Sequence, residues 1–367
     1  MNSPLFLVLC AGCALASRNY TVSVENRNPV PNDSSLISRT NETSTFNYSF
    51  TTAWFEPPSG SPYSDGLIVR VVECNPNHHS CAGVDHPEWT NAGALAVVGA
   101  SLPTLAEKVT IQNVSWMGLD PPPHGGTVGL WGLADPRMSR NPTSGEYFLT
   151  YDNCTENCYP RRTTLLSTTW DPFNSSAWVF RGPVLGADAP YTGGISLLLR
   201  EAPPHFAFVG DSDTANAIRL ATSQDGYSWV LNNSVWMNGR PGMWDASGVA
   251  AGPGVERLSS GDYLFIYNID TGFPYHPSYL GRCAVGWAIL DGDDPSIVIA
   301  RASAPLLTST YPWETCGGEG GKGPWPKCQE PLVVFSTGMK PLGNDRFLII
   351  YGAADSVVGV AQIAVSF

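Results

Sequence analysis

The chain has 367 residues, and its 32 acidic residues outnumber its 20 basic ones, giving a net charge of −12. Such a chain lacks the basic face that releases counterions from phosphates, so the composition argues against a nucleic-acid-binding protein. Charged residues make up only 14% of the chain, while Gly reaches 37 and Pro 31. This composition disfavours helical bundles and favours many short strands joined by tight turns.

The N-terminus has the pattern of a targeting signal. Residues 5–16 (LFLVLCAGCALA) form a short apolar run that ends in an A-x-A-like site, which predicts a signal peptide cleaved before Ser17. The run is too short to cross a bilayer and no later run is long enough, so we expect no membrane span. We therefore predict a secreted or secretory-pathway protein, with a signal peptide at 1–16, a partly loop N-terminal segment at 17–45 and one domain at 46–367.

Glycosylation sequons and cysteines point to the same compartment. Eight N-x-S/T sequons predict a glycoprotein, and they begin at Asn19, Asn32, Asn41, Asn47, Asn113, Asn153, Asn174 and Asn232. In an oxidising compartment, local cysteine pairs favour disulfides over a zinc site, and no His lies near the closest pair. The predicted disulfides are Cys74–Cys81, Cys154–Cys158 and Cys316–Cys328, which leaves Cys283 as a buried thiol. No metal or other cofactor is predicted.

Strand-like segments then recur in pairs along the chain. In order they are 65–70 with 94–100, 145–151 with 163–169, 204–210 with 218–223, 261–267 with 284–290, and 345–351 with 359–365. Each pair is typical of the middle of a four-stranded antiparallel blade. Five copies predict an all-β protein, a five-bladed β-propeller, with a β-sandwich as the alternative. Either 21–26 or 46–55 would complete the last blade and close the ring.

Three charged residues stand beside apolar segments, where solvent exposure is not guaranteed: Arg70, Asp135 and Asp355. An ionised group in such a place needs a partner or a ligand. In a propeller the residues at strand ends converge on the central channel, so we expect these three to meet there. A structural salt bridge is the alternative for each one, and a pure interaction scaffold would keep them apart.

Several motifs carry a family resemblance. GLADPRM (132–138) resembles a G-x-E-D-P-R segment, and 244–268 is similar to a W-D…G-A-G-P…I-Y-H stretch. The segments 279–307 and 347–365, together with FNYSF (46–50) and LIVR (67–70), match further motifs in the same order. Together they resemble glycoside hydrolase family 130, the β-mannoside phosphorylases and related mannosidases. The resemblance implies a five-bladed propeller.

The resemblance also implies roles for individual residues. Asp135 falls on the family's general acid, which protonates the glycosidic oxygen through a sugar hydroxyl in a reaction that inverts the anomeric centre. Arg70, Asp355, Asn47 and Arg137 fall among the substrate-binding residues. Asn47 also begins a sequon, and a residue in the channel cannot carry a glycan, so only one of its two readings can hold.

The departures from the family pattern predict a change of nucleophile. Family phosphorylases bind phosphate with two Arg, one Lys and one His, and burying phosphate without such cations is strongly unfavourable. Those four positions correspond to Gly248, Asn268, Asp211 and the pair Gly193–Gly194. Water would then replace phosphate, and an inverting hydrolase needs a carboxylate base. Asp211 is the first candidate base, with a turn residue as its alternative, followed by Glu256 and then Asp245.

We therefore predict an inverting glycosidase that acts on β-mannosides or related glycans, with a carbohydrate as its partner. Ala134 stands where the family has a Glu in E-D-P-R, which leaves a non-catalytic glycan-binding propeller as the alternative. A phosphorylase with a different phosphate site is a further alternative. Nothing in the sequence predicts the oligomeric state.

Overall fold

The structure is a computed structural model that describes residues 19–27, 46–73, 94–100, 113–116, 132–154, 162–186, 192–211, 217–270, 283–315, 332–354 and 357–367. The regular secondary structure of the described part is almost wholly β-strand, with one short helix, α1 (Pro312–Thr315), and one 3-10 turn at Ser175–Ala177. No helix in these ranges is long and apolar enough to cross a membrane.

In the described residues, twenty-one strands form five antiparallel sheets. The first strand of the chain is β1 (Thr21–Arg27). Blade 1 contains β2 (Phe46–Phe55), β3 (Asp65–Glu73), β4 (Ala94–Ala100) and β5 (Asn113–Trp116). Blade 2 contains β6 (Gly132–Arg140), β7 (Tyr147–Cys154), β8 (Arg162–Thr169) and β9 (Val179–Pro183). Blade 3 contains β10 (Thr192–Leu198), β11 (His205–Asp211), β12 (Ala217–Ser223) and β13 (Val230–Met237).

The last two blades complete the ring. Blade 4 contains β14 (Ala250–Ala251), β15 (Glu256–Arg257), β16 (Tyr263–Asp270), β17 (Cys283–Leu290) and β18 (Val298–Arg301). Blade 5 contains β19 (Val334–Gly343), β20 (Arg346–Ala353) and β21 (Val357–Ser366). Its fourth strand is β1, which pairs with β21. The five-bladed propeller is confirmed, and 21–26 closes it, while 46–55 is the first strand of blade 1.

The first strand of each blade lines the centre. The strands β19, β2, β6, β10 and β14 contact one another in this order, and blade 4 contacts β19 through β16 and β17. One edge of an innermost strand has no neighbouring strand, so its backbone groups face the channel. In blade 4 this strand is split into β14 and β15, because Gly252-Pro253-Gly254 interrupts the ladder.

The hydrophobic core lies between neighbouring blades rather than at one centre. One cluster joins blades 1 and 2 and another joins blades 2 and 3. Two more join blades 3 and 4 and blades 4 and 5. Blades 2, 3 and 4 each contribute to two clusters, so side chains from both faces of these sheets are buried, which explains their long apolar runs in the sequence.

Blades 4 and 5 share a repeated polar cluster, which we call the Trp–Tyr clamp. In blade 5, Arg27 lies 2.6 Å from Glu314 and donates to the hydroxyl of Tyr351, which itself donates to Glu314 at 2.7 Å. The rings of Trp313 and Tyr351 are stacked, and a Cβ on Gly359 would overlap both. In each clamp the Arg comes from the outermost strand, so the cluster ties that strand to the inside of its blade.

The clamp of blade 4 uses the same residue types. Arg301 lies 2.5 Å from Asp245 and donates to the hydroxyl of Tyr267, which itself donates to Asp245 at 3.0 Å. Trp244 stacks on Tyr267, and a Cβ on Gly286 would overlap both rings. The two clamps therefore form an internal repeat.

The predicted disulfides lie mainly outside the described residues. Of the six cysteines involved, only Cys154 falls inside them, at the end of β7. The three pairings therefore stay predictions. Cys283 is buried at the start of β17, as its apolar surroundings predict.

Candidate active site

Asp135 lies on an irregular part of β6. The pairing of β6 with β7 shifts register between Ala134 and Arg137, so Asp135 and Pro136 form a bulge. Asp135 has a φ of +48°, in the left-handed region that residues other than Gly rarely adopt. A following proline further disfavours helical backbone angles. The bulge turns this buried side chain out of the regular strand alternation and next to the neighbouring blade.

Arg70 of blade 1 meets Asp135 of blade 2. Its Nη1 lies 3.7 Å from Oδ1 of Asp135, and both side chains are largely buried, at 12% and 10% exposure. Arg70 stands opposite Phe50 and Leu95 on the second strand of its blade. The two residues are 65 positions apart in the chain. Sequence analysis expected them to converge, and they do.

Arg137 is buried beside them, and three of its N–H groups donate to main-chain carbonyls. Nη1 donates to the carbonyl of Asp135 at 2.8 Å, Nε to that of Gly252 at 2.7 Å and Nη2 to that of Ala251 at 2.9 Å. Its exposure is 2%. A guanidinium with three donors used in this way braces the backbone, whereas the sequence placed it among the groups that contact sugar.

A buried polar chain that sequence analysis missed lies next to the bulge. Asp152 of β7 stands opposite Ala134 and accepts a hydrogen bond of 2.7 Å from Thr164, which in turn accepts one of 3.0 Å from Thr192. Thr192 begins β10 and is paired with Asp211. The backbone of Asp211 therefore lies at the same end of the blades as Asp135. Its side chain is outside the described residues, so its role as a base stays a prediction.

Two of the positions matched to family phosphate ligands carry structural residues. Asn268 is fully buried between blades, where it donates to the carbonyl of Ser336 at 2.9 Å and accepts from the Ser336 amide at 2.8 Å. Gly194 has a φ of +84°, and a Cβ there would lie 2.5 Å from Nη2 of Arg137. Neither position can present a cation to a ligand without rebuilding its surroundings.

Asp245, the third candidate base, belongs to the clamp of blade 4. Burial acts to raise its pKa, but the hydrogen bond from Arg240, the charge of Arg301 and the hydrogen bond from Tyr267 outweigh it. The net pKa lies below the ordinary value, which keeps the carboxylate ionised. Because both charges and the tyrosine hydroxyl already hold this carboxylate, it is a structural anion.

Glu256, the second candidate base, lines a cavity of about 570 Å³ at the other end of β6. Met138, Ser139 and Arg140 line this cavity, whereas Asp135 and Arg70 do not. Burial raises the pKa of Glu256 to about 7, since a carboxylate loses hydration there. The structure thus separates Glu256 from Asp135, which removes the geometric basis for Glu256 as the base.

Two further predicted site residues cannot be placed in full. Asp355 lies outside the described residues, directly after the buried Ala354, which has a φ of +50°. Asn47 falls in β2, but its side chain is outside the described set. Neither its sugar contact nor its glycosylation is tested, and the role of Asp355 stays a prediction.

Comparison with known proteins assigns the chain to a family. The family profile for glycoside hydrolase family 130, described as beta-1,4-mannooligosaccharide phosphorylase, matches residues 125–366, which is more than half of the chain. The chain belongs to glycoside hydrolase family 130. The matched region contains the Asp135 bulge, Arg137, blades 2 to 4 and the strands β19 to β21 of blade 5, so the motif-based assignment is confirmed.

Family 130 relatives extend the similarity over most of the chain. A 1,2-beta-oligomannan phosphorylase of Thermoanaerobacter sp. (strain X514) is 27% identical over 282 residues, covering 74% of this chain and 82% of that protein. A beta-1,2-mannobiose phosphorylase from Listeria innocua superposes with a TM-score of 0.67 at 17% identity, covering 93% of this chain and 96% of the other.

A further solved structure comes from work on family 130 hydrolases that target beta-1,2 mannosidic linkages in Candida mannan. It superposes with a TM-score of 0.68 at 18% identity, covering 93% of this chain and 94% of the other. At this identity, the structural likeness establishes the shared propeller fold.

Proposed function

We propose that this family 130 protein hydrolyses β-mannosides with inversion at the anomeric carbon. The observation that carries the proposal is the buried pair of Asp135 and Arg70 at the bulge of β6. The pair brings a carboxyl and a guanidinium from two blades to one site, and groups of both kinds can form hydrogen bonds with the hydroxyls of a sugar. The assignment of the proton to Asp135 follows the family resemblance.

The proposed reaction is a single displacement by water at the anomeric carbon. Asp135 supplies a proton that reaches the glycosidic oxygen by way of a sugar hydroxyl, and the bond between that oxygen and the anomeric carbon breaks. A water molecule attacks the anomeric carbon from the opposite face and gives its proton to a carboxylate base. We assign the base to Asp211, whose backbone stands at the Asp135 end of blade 3. Arg70 would orient the mannose.

The proposal that water rather than phosphate is the nucleophile rests on the residues at the positions matched to the family's phosphate ligands. Phosphate needs several cationic donors in a buried site. Asn268 and Gly194 occupy two of the matched positions, and both are committed to packing between blades. Arg137 is close to Asp135, but three of its five N–H donors bind main-chain carbonyls. The relatives named as phosphorylases make phosphorolysis the competing reaction.

The test is to incubate the full-length protein with β-manno-oligosaccharides, with and without phosphate, and to identify the products. We expect mannose at the same rate in both conditions, with loss of activity in Asp135→Asn by about 100-fold or more. Release of mannose 1-phosphate only when phosphate is present would establish phosphorolysis instead. Turnover that survives Asp135→Asn would remove this residue from its assigned role.

A second candidate function is glycan binding without turnover. It is favoured by Ala134, a buried residue at the position where the family has a Glu. In this case the same incubation yields no product, while calorimetric titration detects binding of manno-oligosaccharide that is weakened by Arg70→Ala. The two experiments together separate an enzyme from a binding propeller.

A further inference from the structure

The conformation of Asp135 needs support from outside its own strand. Its positive φ before a proline is a strained arrangement, of a kind that persists only where surrounding contacts enforce it. The β6–β7 ladder cannot supply that support, because its register breaks between Ala134 and Arg137. Another group must hold the bulge.

Arg137 makes the contacts that could do so. Its Nη1 holds the carbonyl of Asp135, two residues earlier, while Nε and Nη2 hold the carbonyls of Gly252 and Ala251 in blade 4. These two carbonyls belong to the place where the innermost strand of blade 4 is interrupted, so one planar guanidinium ties the bulge of blade 2 to blade 4. Three charge-assisted bonds also compensate the burial of the cation.

Gly194 of blade 3 makes room for this connection. Blade 3 comes between blade 2 and blade 4 along the chain, and Gly194 has a φ of +84°. A Cβ at this position would come within 2.5 Å, 2.6 Å and 2.7 Å of three guanidinium atoms of Arg137. Any side chain on Gly194 therefore displaces the guanidinium from its carbonyls.

We infer that Arg137 is a positioning residue. Its guanidinium holds the main chain of Asp135 and so directs the carboxyl of Asp135 toward the substrate. Gly194 has no side chain and therefore leaves the space that this guanidinium occupies. This inference rests on the proposed function, since it assigns Arg137 a role through the proton donor. Because reactive groups must be placed to within about 1 Å, loosening the bulge is expected to slow proton donation by about 100-fold.

The test displaces Arg137 without removing it. Gly194→Ala pushes a methyl group into the guanidinium, and Gly186→Ala is its matched control. Gly186 has nearly the same φ, +86°, but a Cβ there has no atom within 4 Å. The two substitutions impose similar backbone strain and differ in the contact with Arg137. Both variants are first checked for cooperative thermal unfolding.

Each variant is assayed on two substrates, β-mannobiose and dinitrophenyl β-mannoside. The dinitrophenolate leaves without a proton, so its release does not depend on the proton donor. We expect Gly194→Ala to lose about 100-fold in kcat on β-mannobiose, with KM nearly unchanged, and less than about 3-fold on the dinitrophenyl substrate. Gly186→Ala is expected to match the wild type on both substrates.

Two more variants separate this inference from the proposed function. Arg137→Lys keeps the charge but loses the planar fork, and we expect the same substrate-dependent loss as in Gly194→Ala. Asp135→Asn must also lose activity on β-mannobiose and retain activity on the dinitrophenyl substrate. If it does, and Gly194→Ala behaves like Gly186→Ala, the positioning role is overturned while the proposed function stands.

The remaining outcomes are also decisive. An equal loss of activity on both substrates in Gly194→Ala would show general damage to the sugar site and would overturn the positioning role. Full β-mannobiose activity in Asp135→Asn, or a wild type inactive on both substrates, would overturn the proposed function and the positioning role together.

Discussion

At the scale of single residues, carboxyl groups in different parts of the fold have different environments. Asp135 lies next to Arg70, whereas Glu256 lines a separate cavity where burial raises its pKa to about 7. Asp245 shows the opposite behaviour, because two arginines and a tyrosine hydroxyl lower its pKa despite burial. The neighbours of a carboxyl, rather than its motif, therefore decide whether it is a structural anion or a protonatable group.

Glu256 makes stability depend on pH. Its folded-state pKa of about 7 lies above the usual 4.5. The unfolded chain releases this proton first as the pH rises, so stability is complete below about pH 4.5 and falls until about pH 7. The difference in the free energy of unfolding between Glu256→Gln and the wild type should therefore shift in favour of the variant by about 2 kcal/mol from pH 5 to pH 8, since a pKa shift of one unit corresponds to about 1.4 kcal/mol.

Urea unfolding at the two pH values measures this gain. Glu201→Gln is the control, because it removes an exposed carboxylate from the same cavity. A difference between Glu256→Gln and the wild type that is the same at both pH values would contradict the prediction.

At the scale of elements, the repeated Trp–Tyr clamp explains how an outermost strand stays attached to its blade. In blade 5 this strand is β1, which comes from the far end of the chain. Arg27 donates to the Thr308 carbonyl and to Glu314, and it lies over the rings of Tyr311 and Tyr351. Ring closure is therefore secured by a buried ion pair in addition to the ladder.

Breaking that ion pair should be costly. Glu314 is fully buried, so Arg27→Ala leaves a carboxylate with its main cation removed, which we expect to destabilise the fold by about 3–5 kcal/mol. Arg346→Ala is the matched control on the same blade, because Arg346 pairs with Glu25 of β1 while 52% exposed, and its loss should cost less than about 1 kcal/mol. Equal midpoints for the two variants in urea unfolding would refute this role of the clamp.

At the scale of the whole molecule, the propeller joins residues from opposite ends of the chain. The strand β1 lies within the segment 17–45, where the sequence offered 21–26 as one of two candidates to complete the last blade, and it is the fourth strand of blade 5. We propose that the protein enters the secretory pathway and is cleaved before Ser17. Cleavage at this site would leave β1 in the mature chain and would place the predicted disulfides in an oxidising compartment.

Truncation separates these two parts of the N-terminus. A chain that begins at Ser17 should fold and unfold cooperatively, whereas one that begins at Asn28 lacks β1 and exposes the edge of β21. We expect the shorter chain to aggregate, as measured by size-exclusion chromatography. N-terminal sequencing of the protein secreted by a eukaryotic host tests the cleavage site, and a shorter chain as stable as the longer one would refute ring closure by β1.

The sequence by itself determined the architecture, because the pairs of apolar strands recur five times and each strand has a local signature. It also determined the family, since GLADPRM and the later motifs appear in order. It predicted that Arg70 and Asp135 meet, because strand ends in a propeller converge on the channel. The strand pairs, the family motifs and the contact of Arg70 with Asp135 follow from local sequence patterns and from the known arrangement of strands in a propeller.

Only the tertiary structure decided which polar groups serve the site and which serve the fold. The motif placed Arg137 with the substrate, but carbonyls from blade 4 take up its donors, and those partners lie 114 and 115 residues away. Likewise, Glu256 follows a motif yet lines a cavity that Asp135 does not reach. Hydrogen bonds and desolvation act over a few ångströms, and the closure of the ring decides which distant residues come within that range.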